Sequence, residues 1–181
     1  MTTGLLARVE DEAQLALVLG HEVTHATHRH ATVEYRTFKN GAALSAAIPG
    51  AGVLGLGALG TKAAVTGYSR EFEREADATG LAAVAAAGYE VASAVKVFEH
   101  LRDWIVEEKE DEPYFLGDHP RIAERIETMA ALRAAPGFKA PGRDRGEVRY
   151  RAAVRGILLA NARLDLAAGR FGRAERGARA R

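Results

Sequence analysis

Apolar residues recur along most of the chain with the spacing of α-helices. The first such stretch opens with Asp11 and Glu12, which suit the first turn of a helix, and continues to about Tyr35. Within it, residues 13–19 are apolar at nearly every position and cover all sides of the helix. A helix that is apolar all round lies in a protein interior. The pattern therefore predicts one buried helix over residues 11–35.

The same periodicity predicts four more helices and little β-structure. They cover residues 69–87, ended by Gly88, and residues 90–109, 120–134 and 149–168. Residues 136–146, PGFKAPGRDRG, have the composition of a linker. The sequence thus predicts a mainly α domain over residues 1–135, a linker over 136–146 and a helical hairpin over 147–181.

The amino-acid composition argues against several kinds of partner and of metal site. The chain has 181 residues, is 48% hydrophobic and 27% charged, and carries a net charge of +1, so no nucleic-acid partner is expected. It has no cysteine, which excludes disulfides and thiolate metal ligands. The N-terminus, MTTGLLARVEDE, has neither the basic nor the apolar region of a signal peptide. Because only a few residues precede the first long predicted helix, we expect the chain to be N-terminally truncated.

The first predicted helix carries the segment HEVTH, with His21 and His25 four residues apart. On a helix these imidazoles lie on one face and can reach a single ion. Glu22 lies about 100° further round, beside such an ion rather than bound to it. That position suits a general base that deprotonates a Zn²⁺-bound water. The segment therefore predicts one zinc ion per chain, with Glu22 as the base.

A zinc ion of this kind needs a third protein ligand. The metzincin pattern would place a histidine at position 31, which is alanine, so that class is excluded. On the 69–87 helix, Glu73 and Asp77 share an otherwise apolar face. Zinc would satisfy the Glu73 carboxylate, and an imidazole N–H of a ligand would satisfy Asp77. Gly80, on the same face, would let the two helices approach closely.

Residues 40–61 carry no charge and are long enough to cross a bilayer. Pro49 and several glycines weaken a straight helix there, and one crossing would separate Glu73 from the two histidines. We therefore expect residues 42–66 to form a mobile apolar lid or re-entrant hairpin, which could contact a membrane surface. A buried pair of Gly/Ala-rich helices stays open as an alternative.

Three motifs together resemble one family. HEVTH, SREFEREAD at 69–77 and DHPRIAERI at 118–126 are similar to the gluzincin metallopeptidases that include type I CAAX prenyl proteases and the HtpX-type, Oma-type and BepA-like proteases. The similarity covers residues 4–132 and is greatest to the soluble BepA/Oma-like branch. It implies a zincin-like fold with His21, His25 and Glu73 as zinc ligands, Glu22 as the base and Asp77 as a partner of a ligand.

The resemblance also implies that His119 and Arg125 line the active site. An oxyanion formed during peptide hydrolysis is stabilised by cationic or N–H donors beside the zinc, which either residue could supply. His119 could instead ligate zinc in a resting state, or be an exposed loop histidine. His28 and His30 follow the motif closely, and we expect them at the surface or against a ligand.

The branch often carries tetratricopeptide (TPR) repeats, and residues 161–178 resemble one incomplete TPR hairpin. The resemblance thus implies a zinc endopeptidase that cleaves unfolded or misassembled polypeptides in the periplasm or cell envelope of a bacterium. A non-catalytic, zinc-stabilised chaperone or adaptor is the main alternative, and a membrane-embedded prenyl-protein protease is a weaker one. The sequence leaves the oligomeric state open.

Overall fold

The computed structural model describes residues 3–47, 68–108 and 122–179. Within them the only β-pairing is an isolated bridge between Tyr89 and Asp144. The predicted mainly α fold with little β is therefore confirmed. The helices in chain order are α1 (Thr3–Leu6), α2 (Glu12–Thr27), α3 (His30–Ala47), α4 (Arg70–Ala86), α5 (Val91–Ala94), α6 (Lys96–Glu108), α7 (Ile122–Ala134), α8 (Glu147–Ala167) and α9 (Phe171–Arg179).

Helices α2 and α4 form the centre of the fold and pack closely at two glycines. A Cβ atom built on Gly80 would lie 3.0 Å from the backbone nitrogen of His21 and 3.3 Å from the carbonyl carbon of Gly20. A Cβ atom on Gly20 would lie 3.1 Å from the Gly80 Cα atom. The predicted close approach at Gly80 is confirmed, and the contact lies directly beside the first histidine of the HEVTH segment.

The predicted helix over residues 11–35 is wrong in one respect, because it is broken. Helix α2 ends at Thr27, and Arg29 has a left-handed backbone with φ of 57° before α3 begins at His30. The hydroxyl of Thr27 bonds the Val23 carbonyl oxygen, a competition with the helical ladder that weakens the last turn. The break turns His30 back towards α2, where its side chain is buried.

The prediction of a helix buried on every side is also wrong. Helix α2 buries Leu17, Val18 and both motif histidines, whereas Leu19 and Val23 are 43% and 57% exposed. Helix α2 is therefore buried on the faces that meet α4 and α5, and partly open on another.

The N-terminus of α2 is held by a buried carboxylate. Asp11 caps the helix by accepting a hydrogen bond from the Gln14 backbone, and it also accepts from Ser93 and from Arg145. Arg145 lies in the predicted linker, and its carbonyl oxygen accepts from the Ala13 backbone. Residues around Arg145 are thus fixed against α2.

Helix α8 packs against the first turn of the chain. The Tyr150 hydroxyl donates to the Leu6 carbonyl oxygen at 2.7 Å, and Val154 and Leu158 belong to the same apolar core as Leu17. Helix α9 then folds back on α8. The division into residues 1–135, 136–146 and 147–181, with the TPR-like hairpin, stays a prediction.

Two predicted helices have altered bounds. The helix over residues 90–109 is divided into α5 and α6 at Val95, and the helix predicted to open at Pro120 is described from Ile122. Residues 48–67, most of the predicted lid, lie outside the described residues, as does His119. Among the helices that are described, none is long and apolar enough to cross a membrane.

Candidate metal centre

Helices α2 and α4 bring three buried donor groups to one point. The Nε2 atoms of His21 and His25 lie 3.1 Å apart, as expected for residues one turn apart on α2. A carboxylate oxygen of Glu73, in the first turn of α4, lies 3.6 Å from His21 Nε2, and the other lies 3.4 Å from His25 Nε2. The three predicted ligands are therefore brought together.

These donors have the spacing that a tetrahedral zinc ion requires. Bonds of about 2.0–2.1 Å at tetrahedral angles place neighbouring ligand atoms about 3.3–3.4 Å apart. The two imidazole nitrogens are 3.1 Å apart, and each lies 3.4 or 3.6 Å from one of the two Glu73 oxygens, so a small rotation of the carboxylate would bring the donors to that value. Two imidazoles and one carboxylate are also the donor types of catalytic zinc sites that keep one position for water. The residues present thus fit a zinc ion.

Asp77 holds the first ligand from behind. Its Oδ1 atom lies 3.0 Å from His21 Nδ1, the ring nitrogen that does not face His25 and Glu73. A proton on Nδ1 donated to Asp77 leaves the Nε2 lone pair directed at the ion. Helical spacing explains the arrangement, because Asp77 lies one turn beyond Glu73 on the same face of α4. The structure thus places Asp77 where the sequence predicted it.

Arg125, from α7, completes this side of the site. Its Nη2 donates to Asp77 Oδ1 at 2.6 Å and its Nε to Oδ2 at 3.1 Å, while its Nη1 lies 3.5 Å from Glu73. The guanidinium also stacks over the Phe98 ring at 4.4 Å. Arg125 is therefore buried against Asp77 and Glu73, so its first effect is on how the ligands are held. A role towards an oxyanion stays a prediction.

The electrostatic environment keeps His21 neutral. Burial is the main cause that lowers the pKa of His21 to about 4, although its hydrogen bond to Asp77 opposes the shift. The nearby positive charge of Arg125 lowers the pKa further. Because only a neutral imidazole can ligate a metal, this environment favours the state that binds.

His25 has a different set of neighbours. Its Nδ1 lies 2.9 Å from Nδ1 of His30, and its ring stacks on Tyr68 with centroids 4.0 Å apart. His30 is 2% exposed and stacks on the Phe72 ring at 4.2 Å. Among these neighbours of His25, the sequence analysis singled out only His30, which we expected at the surface or against a ligand. The contact with His25 decides between those alternatives.

Glu22 and His119 are the two remaining predicted site residues, and the structure describes only Glu22. Glu22 is partly buried on α2, next to His21 in the chain and therefore about 100° round the helix from it. This is the orientation from which the sequence predicted general-base catalysis. His119 lies outside the described residues, so its role stays a prediction.

Comparison with known proteins agrees with this geometry. The sequence profile described as peptidase family M48 matches residues 1–133, which include the whole donor cluster. The chain belongs to peptidase family M48. Members of this family are metal-dependent peptidases with a zincin-like fold, and the metal is usually zinc. The predicted resemblance to the gluzincins with a BepA/Oma-like character is thereby confirmed at the level of the family.

Two curated M48-type relatives are similar to this chain. A provisionally named beta-barrel assembly-enhancing protease of Vibrio cholerae is 30% identical over 137 residues, which are 68% of this chain and 28% of the relative. The mitochondrial metalloendopeptidase OMA1 of Arabidopsis thaliana is 32% identical over 131 residues, or 71% of this chain and 26% of the relative. The chain thus spans about a quarter of the length of these relatives. No solved structure matches it at the same level of significance.

Proposed function

We propose that this M48 chain is a zinc-dependent endopeptidase that hydrolyses peptide bonds of unfolded or misassembled proteins. The observation that carries the proposal is the set of three buried donors of His21, His25 and Glu73 at tetrahedral spacing. Membership of a metallopeptidase family supports the same chemistry.

Each residue of the site would have its own role in the hydrolysis of a peptide bond. His21, His25 and Glu73 would hold zinc, which when bound acidifies a water molecule and polarises the scissile carbonyl group. Glu22 would take the proton from that water and pass it to the leaving amine. Asp77 would keep the His21 ring in its metal-binding tautomer, and Arg125 would hold Asp77 in place through two hydrogen bonds.

The cellular setting is proposed from the relatives. The Vibrio cholerae relative is named for enhancing β-barrel assembly, and this name supports a role for the chain in protein quality control in a bacterial cell envelope. Polypeptides would be its substrates. An apolar segment at 42–66 could also bring the protein into contact with a membrane surface.

A non-catalytic adaptor is the alternative, and Glu22 separates the two. In a metalloprotease, Glu22→Gln should keep zinc bound at His21, His25 and Glu73 and lower the cleavage of casein about 10²–10⁴-fold, the usual contribution of a general base. His25→Ala and Glu73→Ala should lose the zinc of this site together with cleavage. Glu71→Gln is the matched control, since Glu71 is exposed on α4. A zinc-loaded chain that binds casein without cleaving it would support the adaptor instead.

A further inference from the structure

A second cluster of metal-ligating side chains lies beside the first. The Nδ1 atom of His28 lies 2.7 Å from Glu75 Oε1, and Nε2 of His30 lies 3.3 Å from Glu75 Oε2. One donor atom from each of the three residues falls within 4.8 Å of the others. The 3.3 Å separation matches the spacing of about 3.3–3.4 Å between ligands of a tetrahedral zinc ion, and the 2.7 Å contact is a hydrogen bond that a bound ion would replace.

The break between α2 and α3 creates this cluster. On a continuous helix, residues two apart point about 200° from one another, so His28 and His30 would face opposite sides. The left-handed backbone of Arg29 reverses the chain between them and brings the two rings to a centroid distance of 5.6 Å. Glu75 then meets both from α4, one turn along from Glu71 and on the side away from Asp77.

His30 supplies an independent indication of a ligand. Its side chain is 2% exposed, and its Nε2 is fully buried with the Glu75 carboxylate, 3.3 Å away, as its polar neighbour and no well-formed hydrogen bond among the described residues. A buried polar atom that makes no good hydrogen bond destabilises the fold. His28 and Glu75 are 41% and 47% exposed, so they can adjust to a ligand and leave a position for water. The buried nitrogen therefore points at a place where a cation would satisfy it.

We propose that His28, His30 and Glu75 form a second zinc site, which we call the outer site, distinct from the inner site of His21, His25 and Glu73. Two imidazoles and a carboxylate suit Zn²⁺, whereas Ca²⁺ and Mg²⁺ prefer sets of oxygen ligands. Only one donor of the outer site is buried, so the outer site binds zinc more weakly than the inner site.

The two sites are coupled through one pair of nitrogens. The Nδ1 atoms of His25 and His30 lie 2.9 Å apart, and one of them must donate to the other. A neutral imidazole that binds a metal through Nε2 carries its proton on Nδ1. With zinc on both Nε2 atoms, two N–H groups would face each other. Zinc bound at the outer site therefore lowers the affinity of the inner site for zinc. This coupling rests on the proposed zinc ligation by His25, whereas the outer site itself does not.

Zinc titration of the metal-free 181-residue protein tests the outer site. Calorimetry should resolve two equivalents of zinc, the second weaker, with no comparable binding of Mg²⁺ or Ca²⁺. His28→Ala and Glu75→Gln should each weaken the second equivalent at least tenfold and leave the first bound. Glu71→Gln, the matched exposed control on α4, should keep both. Glu73→Ala should lose the first equivalent and keep the second, which separates failure of the outer site from failure of the proposed function.

The coupling has its own readout. Zinc should leave the inner site of the wild-type protein faster when the outer site is filled, and His28→Ala should abolish that dependence on zinc concentration. A wild-type protein that binds a single equivalent, kept by His28→Ala and lost by Glu73→Ala, would overturn the proposal. So would a second equivalent that His28→Ala and Glu75→Gln both leave unchanged, because that zinc would be an adventitious ion only.

Discussion

Gly80 lies against the backbone of Gly20, and this contact sets the distance between the two helices that carry the candidate metal ligands. A Cβ on Gly80 would lie 3.0 Å from the His21 backbone nitrogen, closer than ordinary van der Waals contact. Both neighbouring groups belong to backbone and cannot turn aside. The register of Glu73 against the two histidines therefore depends on the absence of a side chain at Gly80.

We expect Gly80→Ala to push α4 away from α2 by a few tenths of an ångström. Overpacking of this kind costs about 1–3 kcal/mol, and it should also weaken zinc binding because Glu73 moves with α4. Gly156→Ala is the matched control: it lies on an exposed face of α8 with nothing within 4 Å of its Cβ position. The control should gain up to about 1 kcal/mol of stability. Urea denaturation and zinc titration of both variants measure the difference.

Asp77→Asn should damage the site in two separable ways. Loss of the carboxylate behind His21 should lower zinc affinity about 10–100-fold, since the ring loses its orienting acceptor. It also removes the nearest anion of the buried Arg125 guanidinium and leaves only Glu73 at 3.5 Å, which should destabilise even the metal-free protein by up to about 3–5 kcal/mol. Glu124→Gln breaks a half-exposed pair with Arg70 and should change stability by at most about 1 kcal/mol. Equal stability of the two variants would contradict the buried geometry at Asp77.

Tyr150 gives the fold a dependence on alkaline pH. Burial, together with the negative charge of Asp11, raises the pKa of Tyr150 to about 12, above the value of about 10 expected in the unfolded chain. The fold thus favours the neutral phenol, and this contribution is complete below pH 10 and is lost as pH rises from about 10 towards 12. The Tyr150→Phe protein should therefore lose less stability than the wild type between pH 9 and pH 11. Urea denaturation of both proteins across that pH range measures the difference in their free energies of unfolding.

If the two proteins lost stability in parallel over that range, the phenol of Tyr150 would be as accessible as in an unfolded chain. At pH 7 the phenol is neutral in the folded and unfolded protein, so the difference in free energy of unfolding between the wild type and Tyr150→Phe measures the hydrogen bond of Tyr150 to the Leu6 carbonyl oxygen. That bond should contribute about 0.5–1.5 kcal/mol.

The ligand-bearing part of the fold was predictable because its signals are local and periodic. His21 and His25 share a helix face by spacing alone, and Glu73 was selected because it shares an otherwise apolar helix face with Asp77. The structure places Glu73 with the histidines and leaves Glu71 and Glu75 exposed. The same logic correctly placed Gly80 at a close helix crossing.

Other features could not be predicted because no local signal records them. The chain reverses at Arg29 without a glycine or proline, so the sequence read as one helix, and the burial of His30 followed from that unseen break. The contact between α8 and α1 joins Tyr150 to Leu6 across the length of the chain. Such pairings depend on tertiary packing, for which one sequence holds no periodic pattern.

The central claim is that zinc is held by His21, His25 and Glu73, and X-ray absorption at the zinc edge tests it most directly. The His28→Ala protein should be used with one equivalent of zinc, so that only the inner site contributes. The account predicts four nitrogen or oxygen neighbours at about 2.0–2.1 Å, with the outer-shell scattering of two imidazoles. Six oxygen neighbours without imidazole scattering, or a spectrum unchanged by Glu73→Ala, would contradict it.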